Sequence, residues 1–248
     1  MESLWETEQD ELKKSLVVED DWADDDEAEK RFIGGVDISF TASDPDAACA
    51  TLVIIDTESS NAVIYEDSLH PIKVNVPYKA GFLAFREVPY LKILISRMMK
   101  RVEEGSVARP FAVMVDGNGI LHPRGFGTAC HLGVVCGVRT IGVGKSLHHT
   151  DGVTKDRIKH IMAAQPPEIA QGNCNFRYWK FAGDSGAELG AAVLPTAACK
   201  NPIFISIGHK VSLDSALAIA STCSDCRVPE PVRQADKRSR ETLRLCSS

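Results

Sequence analysis

Three short runs rich in valine and isoleucine follow one another early in the chain: FIGGVDISF (32–40), CATLVIIDT (49–57) and AVIYEDSL (62–69). Only turn-forming clusters separate them, Asp44-Pro45-Asp46 and Ser59-Ser60-Asn61. Runs joined this tightly leave no room for the crossovers that parallel strands need, so they predict an antiparallel three-stranded meander. A dinucleotide-binding βαβ start is excluded on the same ground.

The pattern changes at VPYLKILISRMMKRVEEG (88–105), which sets Leu91, Leu94, Ile95, Met98 and Val102 on one helical face. Pro89 suits its first turn and Gly105 its stop. FAVMV (111–115) and TIGVG (140–144) are wholly apolar, like buried parallel strands, and residues 126–137 between them predict a helix of small residues. ELGAAVL (188–194) and PIFISIG (202–208) predict further strands, and Ser212 can cap the helix LDSALAIAS (213–221). Residues 150–180 carry no clear period. Together the order predicts an α/β domain: a ribonuclease H-like mixed sheet, antiparallel over its first three strands and parallel after them, flanked by helices. In that architecture strand ends collect carboxylates.

At 248 residues the chain can bury a core without covalent staples. One domain is expected over 31–248, preceded over 1–30 by a helix and a partly flexible acidic arm. The net charge of −6 argues at first against a polyanionic partner. However, residues 1–30 hold 13 Asp and Glu against 3 Lys and Arg, which leaves 21 acids against 25 bases in the rest. The body is mildly basic, and the arm EDDWADDDEAE (19–29) reads as a solvated segment rather than a mimic of nucleic acid. No N-terminal apolar segment suits a secretion signal or a membrane span, so no membrane partner is expected. The eight scattered cysteines are expected as reduced thiols of the cytosol or nucleus, nucleolus included. Cys223 and Cys226 form a lone C-x-x-C, read as two ordinary thiols rather than a zinc or redox pair.

Asp37 interrupts an apolar strand pattern, and a lone buried carboxylate costs several kcal/mol unless a metal or hydrogen bonds compensate. Asp116 ends a later strand. If the first and fourth strands lie side by side the two converge, and paired hard oxygens favour Mg²⁺ or Mn²⁺, which can polarise a phosphodiester and activate water. Equally, Asp37 could bond local backbone amides and Asp116 could merely begin a turn. Glu87 could add a third carboxylate, or simply complement a helix N-terminus. Lys145 follows an apolar strand where a cation could neutralise phosphate charge. GVGKS has the tail of a phosphate loop, but Arg139 and Thr140 stand where the upstream glycine is required, which excludes a nucleoside triphosphatase. Tyr78, on a stiff loop after Pro77 and before Lys79, can stack on a nucleobase or be an ordinary half-buried loop tyrosine. Gly117, Gly119 and Gly125 permit close backbone approach, with His122 and Arg124 as donors at the same rim.

The stretches GGVDISF, VPYKAGFLAFREVP, VDGNGILHPRGFGTACHLGV, IGVGK, GDSG, ISIGHKVSL and VPEPVRQADKRSRE resemble, in order, the endonuclease V family, over roughly residues 31–245 and in the manner of its animal branch. The resemblance implies a ribonuclease H-like nuclease that recognises inosine and hydrolyses a phosphodiester on its 3′ side, with Mg²⁺ as cofactor and Mn²⁺ as a substitute. It implies metal-binding aspartates at Asp37 and Asp116, catalytic roles for Glu87, Lys145 and Asp236, and a strand-wedging aromatic at Tyr78. It also implies a pocket for the everted base around Gly81, Leu83, Gly117, Gly119 and Gly142, with His122 close by. His148 and His149 have no assigned role. The expected partner is inosine-containing single-stranded RNA, acted on by a monomer. Deoxyinosine in DNA is the alternative substrate, and an inosine-binding adaptor that does not cut is the alternative of another class.

Overall fold

In the computed structural model, which describes residues 2–22 and 30–246, the meander forms as its turns require. Strand β1 (Phe32–Phe40) pairs antiparallel with β2 (Ala47–Asp56), and β2 with β3 (Ala62–Lys73). Strands β4 (Ala112–Asp116) and β5 (Thr140–Gly144) then join in parallel, β4 against β1 and β5 against β4. Beyond β5 the sheet departs from the predicted parallel order and turns antiparallel again. It continues through β9 (Ile203–His209), β8 (Glu188–Leu194), β7 (Asn173–Ala182) and β6 (Glu168–Ala170), in the order β3-β2-β1-β4-β5-β9-β8-β7-β6. The short connections from β6 through β9 leave no room for crossovers. This is the ribonuclease H-like mixed sheet.

The register of the central pair decides where chemistry can occur. Val36 lies opposite Val115, so Asp37 and Asp116 come next, side by side on neighbouring strands. Side chains alternate along a strand, so Asp37 shares a face with Ile33 and Asp116 shares it with Met114. Ile33 and Met114 pack in a core with helix α5 (Leu213–Thr222) and with Val232 of helix α6 (Glu230–Cys246). Val36, Val113 and Val115 point the other way, against helices α2 (Leu83–Glu103) and α3 (Thr128–Cys136).

Helix α2 begins earlier than the spacing predicts. Its start is at Leu83, and Pro89 lies inside it. Proline at that place lacks an N–H and leaves one carbonyl without its helical donor. The buried stripe Ala84, Glu87, Val88, Leu91, Leu94, Ile95 and Met98 runs unbroken through it, and burial of that stripe outweighs the loss. Glu87 is therefore within the helix on its buried face, so a helix-terminus role does not explain it.

Two further regions differ from the pattern-based reading. Residues 150–180 fold into α4 (Lys155–Ala164), β6 and β7; Thr154 caps α4 by accepting from the Arg157 N–H. Helix α6, which the pattern-based reading did not predict, crosses β1 and β2 and covers the Asp37 face. It rests on Gly35: a Cβ there would stand 2.2 Å from the Pro231 carbonyl carbon. Only glycine permits that approach.

The N-terminal segment is tied to the body. Helix α1 (Glu2–Lys13) packs on α3, Ser212 N donates to Asp20 Oδ1 at 2.6 Å, and Lys210 pairs with Asp21 at 2.7 Å. Trp22 meets Phe111 edge to face at 5.0 Å. The rest of the acidic arm, residues 23–29, lies outside the described residues. All eight cysteines are free thiols, with Cys223 buried and Cys226 exposed. Among the described residues no helix is long and apolar enough to cross a membrane.

Gly35→Ala is expected to push α6 off β1 and to cost about 1–3 kcal/mol, the usual penalty for overfilling a packed contact. Urea unfolding measures it, and wild-type stability in the variant would contradict the seating of α6.

Candidate active site

Carboxylate oxygens of Asp37, Asp116 and Asp236 lie within 4.8 Å of one another, the one such group of three acidic, histidine or cysteine residues among the described residues. The two parallel strands deliver Asp37 and Asp116, and α6 brings Asp236 down onto them. Asp37 is buried, and its Oδ2 accepts from Ser39 Oγ at 3.0 Å and Ser239 Oγ at 2.8 Å. Burial first, and then the Asp116 charge and a shared carboxyl–carboxyl hydrogen bond, push the Asp37 pKa up to about 7, against the pull of Ser239. Like charges about 4 Å apart cost about 4 kcal/mol per pair at an effective dielectric near 20. A proton or a cation must relieve that.

Lys145, just past β5, supplies part of the relief. Its Nζ lies 2.5 Å from Asp116 Oδ2 and 3.7 Å from Asp236 Oδ1, while Arg240 Nη2 meets Asp236 at 2.8 Å. Burial works against the Lys145 ammonium, but Asp116, Asp236 and Asp37 outweigh it and hold its pKa above the ordinary lysine value. It is a fixed cation at neutral pH. Glu87 stands outside the group of three, but it is buried and its pKa lies well above the ordinary range, through burial first and then the charges of Asp37 and Asp116.

The donor set fits a divalent cation. It consists of hard carboxylate oxygens without sulfur or imidazole, and Asp116 and Asp236 are half-buried, which leaves coordination positions open to water and substrate.

One residue beyond Asp116 the chain enters the wall of a cavity of about 420 Å³. Tyr78, Gly81, Leu83, Gly117 and His122 line it, with Tyr78 exposed at the rim. Gly119 and Gly142 stand behind that wall. The Gly119 N–H donates to Ser206 Oγ at 2.9 Å, a Cβ on Gly119 would lie 1.7 Å from the Ile207 carbonyl oxygen, and one on Gly142 would lie 2.3 Å from Gly119 N. Their bareness lets β5, β9 and the cavity loop stack directly.

His122 is held neutral: burial first, then the nearby His148 and the Arg124 charge, bring its pKa down to about 4. Its Nδ1 accepts from Arg124 N at 3.3 Å, which leaves the ring proton on Nε2. His148 lines the same cavity and faces the His122 ring at 6.4 Å, so one of the two unassigned histidines has a place. His149 does not line it.

Sequence reasoning missed the part played by α1. Glu6 lines the cavity, buried Gln9 donates to Phe126 O at 2.8 Å, and Lys13 Nζ donates to Arg124 O at 2.9 Å. The Arg124 guanidinium turns toward Gln9 and Asp10, at 2.5 and 2.7 Å, and is not a free donor at the rim. Trp5 stacks on Phe85 at 5.3 Å. These contacts span more than 70 residues of chain, and no local pattern signals them. Asn118 was also passed over: it lines the cavity, and its buried Oδ1 has no hydrogen-bond partner among the described residues.

The profile of the Endonuclease V family matches residues 10–237. Mouse endonuclease V is 40% identical over 245 residues, covering 98% of this chain and 69% of the mouse protein. Human endonuclease V is likewise 40% identical over 245 residues, covering 98% of this chain and 83% of the human one. The crystal structure of the human protein superposes with a TM-score of 0.85 at 37% identity, covering 100% of both chains. That of Ciona intestinalis endonuclease V, in complex with a 23mer DNA containing an inosine followed by a ribo-adenosine, has a TM-score of 0.84 at 30% identity, covering 98% and 97%.

Asp37 has a pKa near 7 when folded against an ordinary value of 3.8, so the metal-free folded chain holds a proton through that window that the unfolded chain has released. Its contribution to stability is complete below the lower value and lost as pH rises through the upper one, about 2–4 kcal/mol in all. Asp37→Asn cannot ionise and should remove this part of the pH slope in EDTA. An unchanged slope by urea unfolding would contradict the crowding of the three carboxylates.

Proposed function

The chain belongs to the endonuclease V family, and from that membership we propose that it is a Mg²⁺-dependent endonuclease that recognises inosine in single-stranded RNA and hydrolyses a phosphodiester on its 3′ side. One observation carries the reading: Asp116 and Gly117, adjacent in sequence, belong to the carboxylate group and to the wall of the base-sized cavity respectively. A base seated in the cavity thereby brings its own backbone to the carboxylates.

A divalent cation held by Asp37, Asp116 and Asp236 would polarise the scissile phosphate and lower the pKa of the attacking water. The chain's own residues do the rest. Ser39 and Ser239 fix the Asp37 carboxylate, so it does not swing away from Asp116. Lys145, charged throughout the neutral range, stabilises the negative charge that builds on the phosphate oxygens. Glu87, whose burial favours the protonated form, can hold a proton near the reacting groups. Neutral His122 lines the cavity with its proton on Nε2, a donor that would suit the 6-oxygen of hypoxanthine and not the 6-amino group of adenine. Tyr78, exposed at the rim, is placed to fill the gap that the everted base leaves.

A single strand is favoured because it avoids the unpairing cost of base eversion, and RNA over DNA because the Ciona relative was seen with a ribonucleotide following the inosine of its DNA strand. The deoxyinosine alternative is tested in the same assay. RNA and DNA oligonucleotides with one inosine are incubated with Mg²⁺, Mn²⁺, Ca²⁺ or EDTA, and the product ends are mapped. Cleavage of inosine RNA in Mg²⁺ or Mn²⁺ is expected, with binding but poor turnover in Ca²⁺, no cleavage by Asp37→Ala, and a loss of about 10²–10³-fold in kcat for Lys145→Met. Binding without cleavage under every metal would support the adaptor instead, and faster cleavage of the DNA would reverse the substrate order.

A further inference from the structure

Lys145 also lines a second groove, of about 600 Å³, whose floor is apolar and whose rim is cationic. Leu147, Ile158, Met162 and Phe204 form the floor, and the first, second and fourth of these belong to a separate hydrophobic cluster that Met162 packs against. Lys145, Lys155, Lys159, Lys200 and Arg227 ring it, and no carboxylate lines it. The face of α4 toward the groove follows from sequence: Lys155, Ile158, Lys159, Met162 and Ala163 recur at helical spacing. Arg227 locks the other wall, donating to the carbonyl oxygens of Asn201, Pro202 and Lys145 at 3.0–3.1 Å. Lys155 and Lys200 are exposed and have no ion-pair partner among the described residues.

We infer that this groove is the track for the nucleotides on the 3′ side of the scissile bond. The inference rests on the proposed function, which seats the inosine base in the cavity beside Gly117 and cuts on its 3′ side. Lys145 belongs to both places: its ammonium pairs with Asp116 while the residue lines the groove. A strand that passes the carboxylates at Lys145 can continue into this groove. Its chemistry suits a single strand, with cations for successive phosphates and an apolar floor for the sugar and base faces between them. Unpaired lysines on such a track are counter-ions for a polyanion supplied from outside.

The test uses the full chain, wild type and the double variant Lys155→Gln/Lys200→Gln, neither residue being part of the catalytic group or the base cavity. Single-inosine RNAs carry a fixed 5′ arm and either a long 3′ arm or one ending just past the scissile bond, with a mirror set varying the 5′ arm. Binding in Ca²⁺ is measured across salt concentrations, and cleavage in Mg²⁺. Wild type should bind the long 3′ arm more tightly, with a steeper salt dependence. The double variant should lower the slope of log affinity against log salt by about 1.4 for the long 3′ arm, about 0.7 for each lost phosphate contact. Its slope for the short arm, and its kcat at saturation, should stay at wild-type values. A wild-type slope in the double variant, or length dependence confined to the 5′ arm, overturns the groove assignment while leaving the inosine reading intact. A wild type indifferent to inosine in every RNA overturns the cavity reading and the groove assignment with it.

Discussion

Like charges within reach of a single ion repel one another, and much of this fold is arranged to hold three of them there. The parallel register of β1 and β4 sets Asp37 beside Asp116. Helix α6 lies on the bare backbone of Gly35 and lowers Asp236 toward the pair, while its Ser239 grips the Asp37 carboxylate that it faces. Lys145 answers part of the negative charge, and the Asp37 proton answers part of the rest. Contacts from two strands, a helix and a loop converge on the same few atoms. Loosening any of them lets the carboxylates separate, because separation is what their charges favour.

The cavity beside Gly117 depends on that centre through the chain itself. Asp116 must be rigid at a strand end, and the residues after it turn directly into the cavity wall. Stiffness on the cavity's other side comes from α1, which binds the loop carrying His122 and Arg124 through Gln9, Asp10 and Lys13. The carboxylate group and the cavity are thus separated by one peptide bond on one side and braced by a distant helix on the other. A neutral imidazole in an apolar recess, rather than a charged group, suits discrimination between an oxygen and an amino group on a purine.

Much of the framework was legible in the sequence because its signals are local. Turn clusters at Asp44-Pro45-Asp46 and Ser59-Ser60-Asn61 dictate the meander, and Asp37 and Asp116 stand out because each breaks an apolar run where burial makes a carboxylate costly. Asp236 did not stand out. It is one of many charges in EPVRQADKRSRETLRLC, and it was legible only through the family resemblance. The start of α2 was obscured by Pro89, since a proline signals a helix opening more often than an interior position. The work of Gln9, of Ser239 and of the Gly35 contact is carried by packing between distant segments, which no periodicity records. Gly119 was conspicuous as a glycine and Gly142 was legible only through the family resemblance, yet both face β9 and the cavity loop's backbone rather than the cavity.

Asp37, Asp116 and Asp236 are proposed to converge on one cation. Crystals of the wild-type chain grown with Mn²⁺ and measured at the manganese absorption edge test it most directly. An anomalous peak is expected, bonded to oxygens of Asp37 and Asp116 at roughly 2.0–2.6 Å, the range of hard-cation contacts, with Asp236 facing the same ion directly or through water. Carboxylates that splay apart in the presence of Mn²⁺, or an ion that binds elsewhere and leaves this group empty, would contradict it.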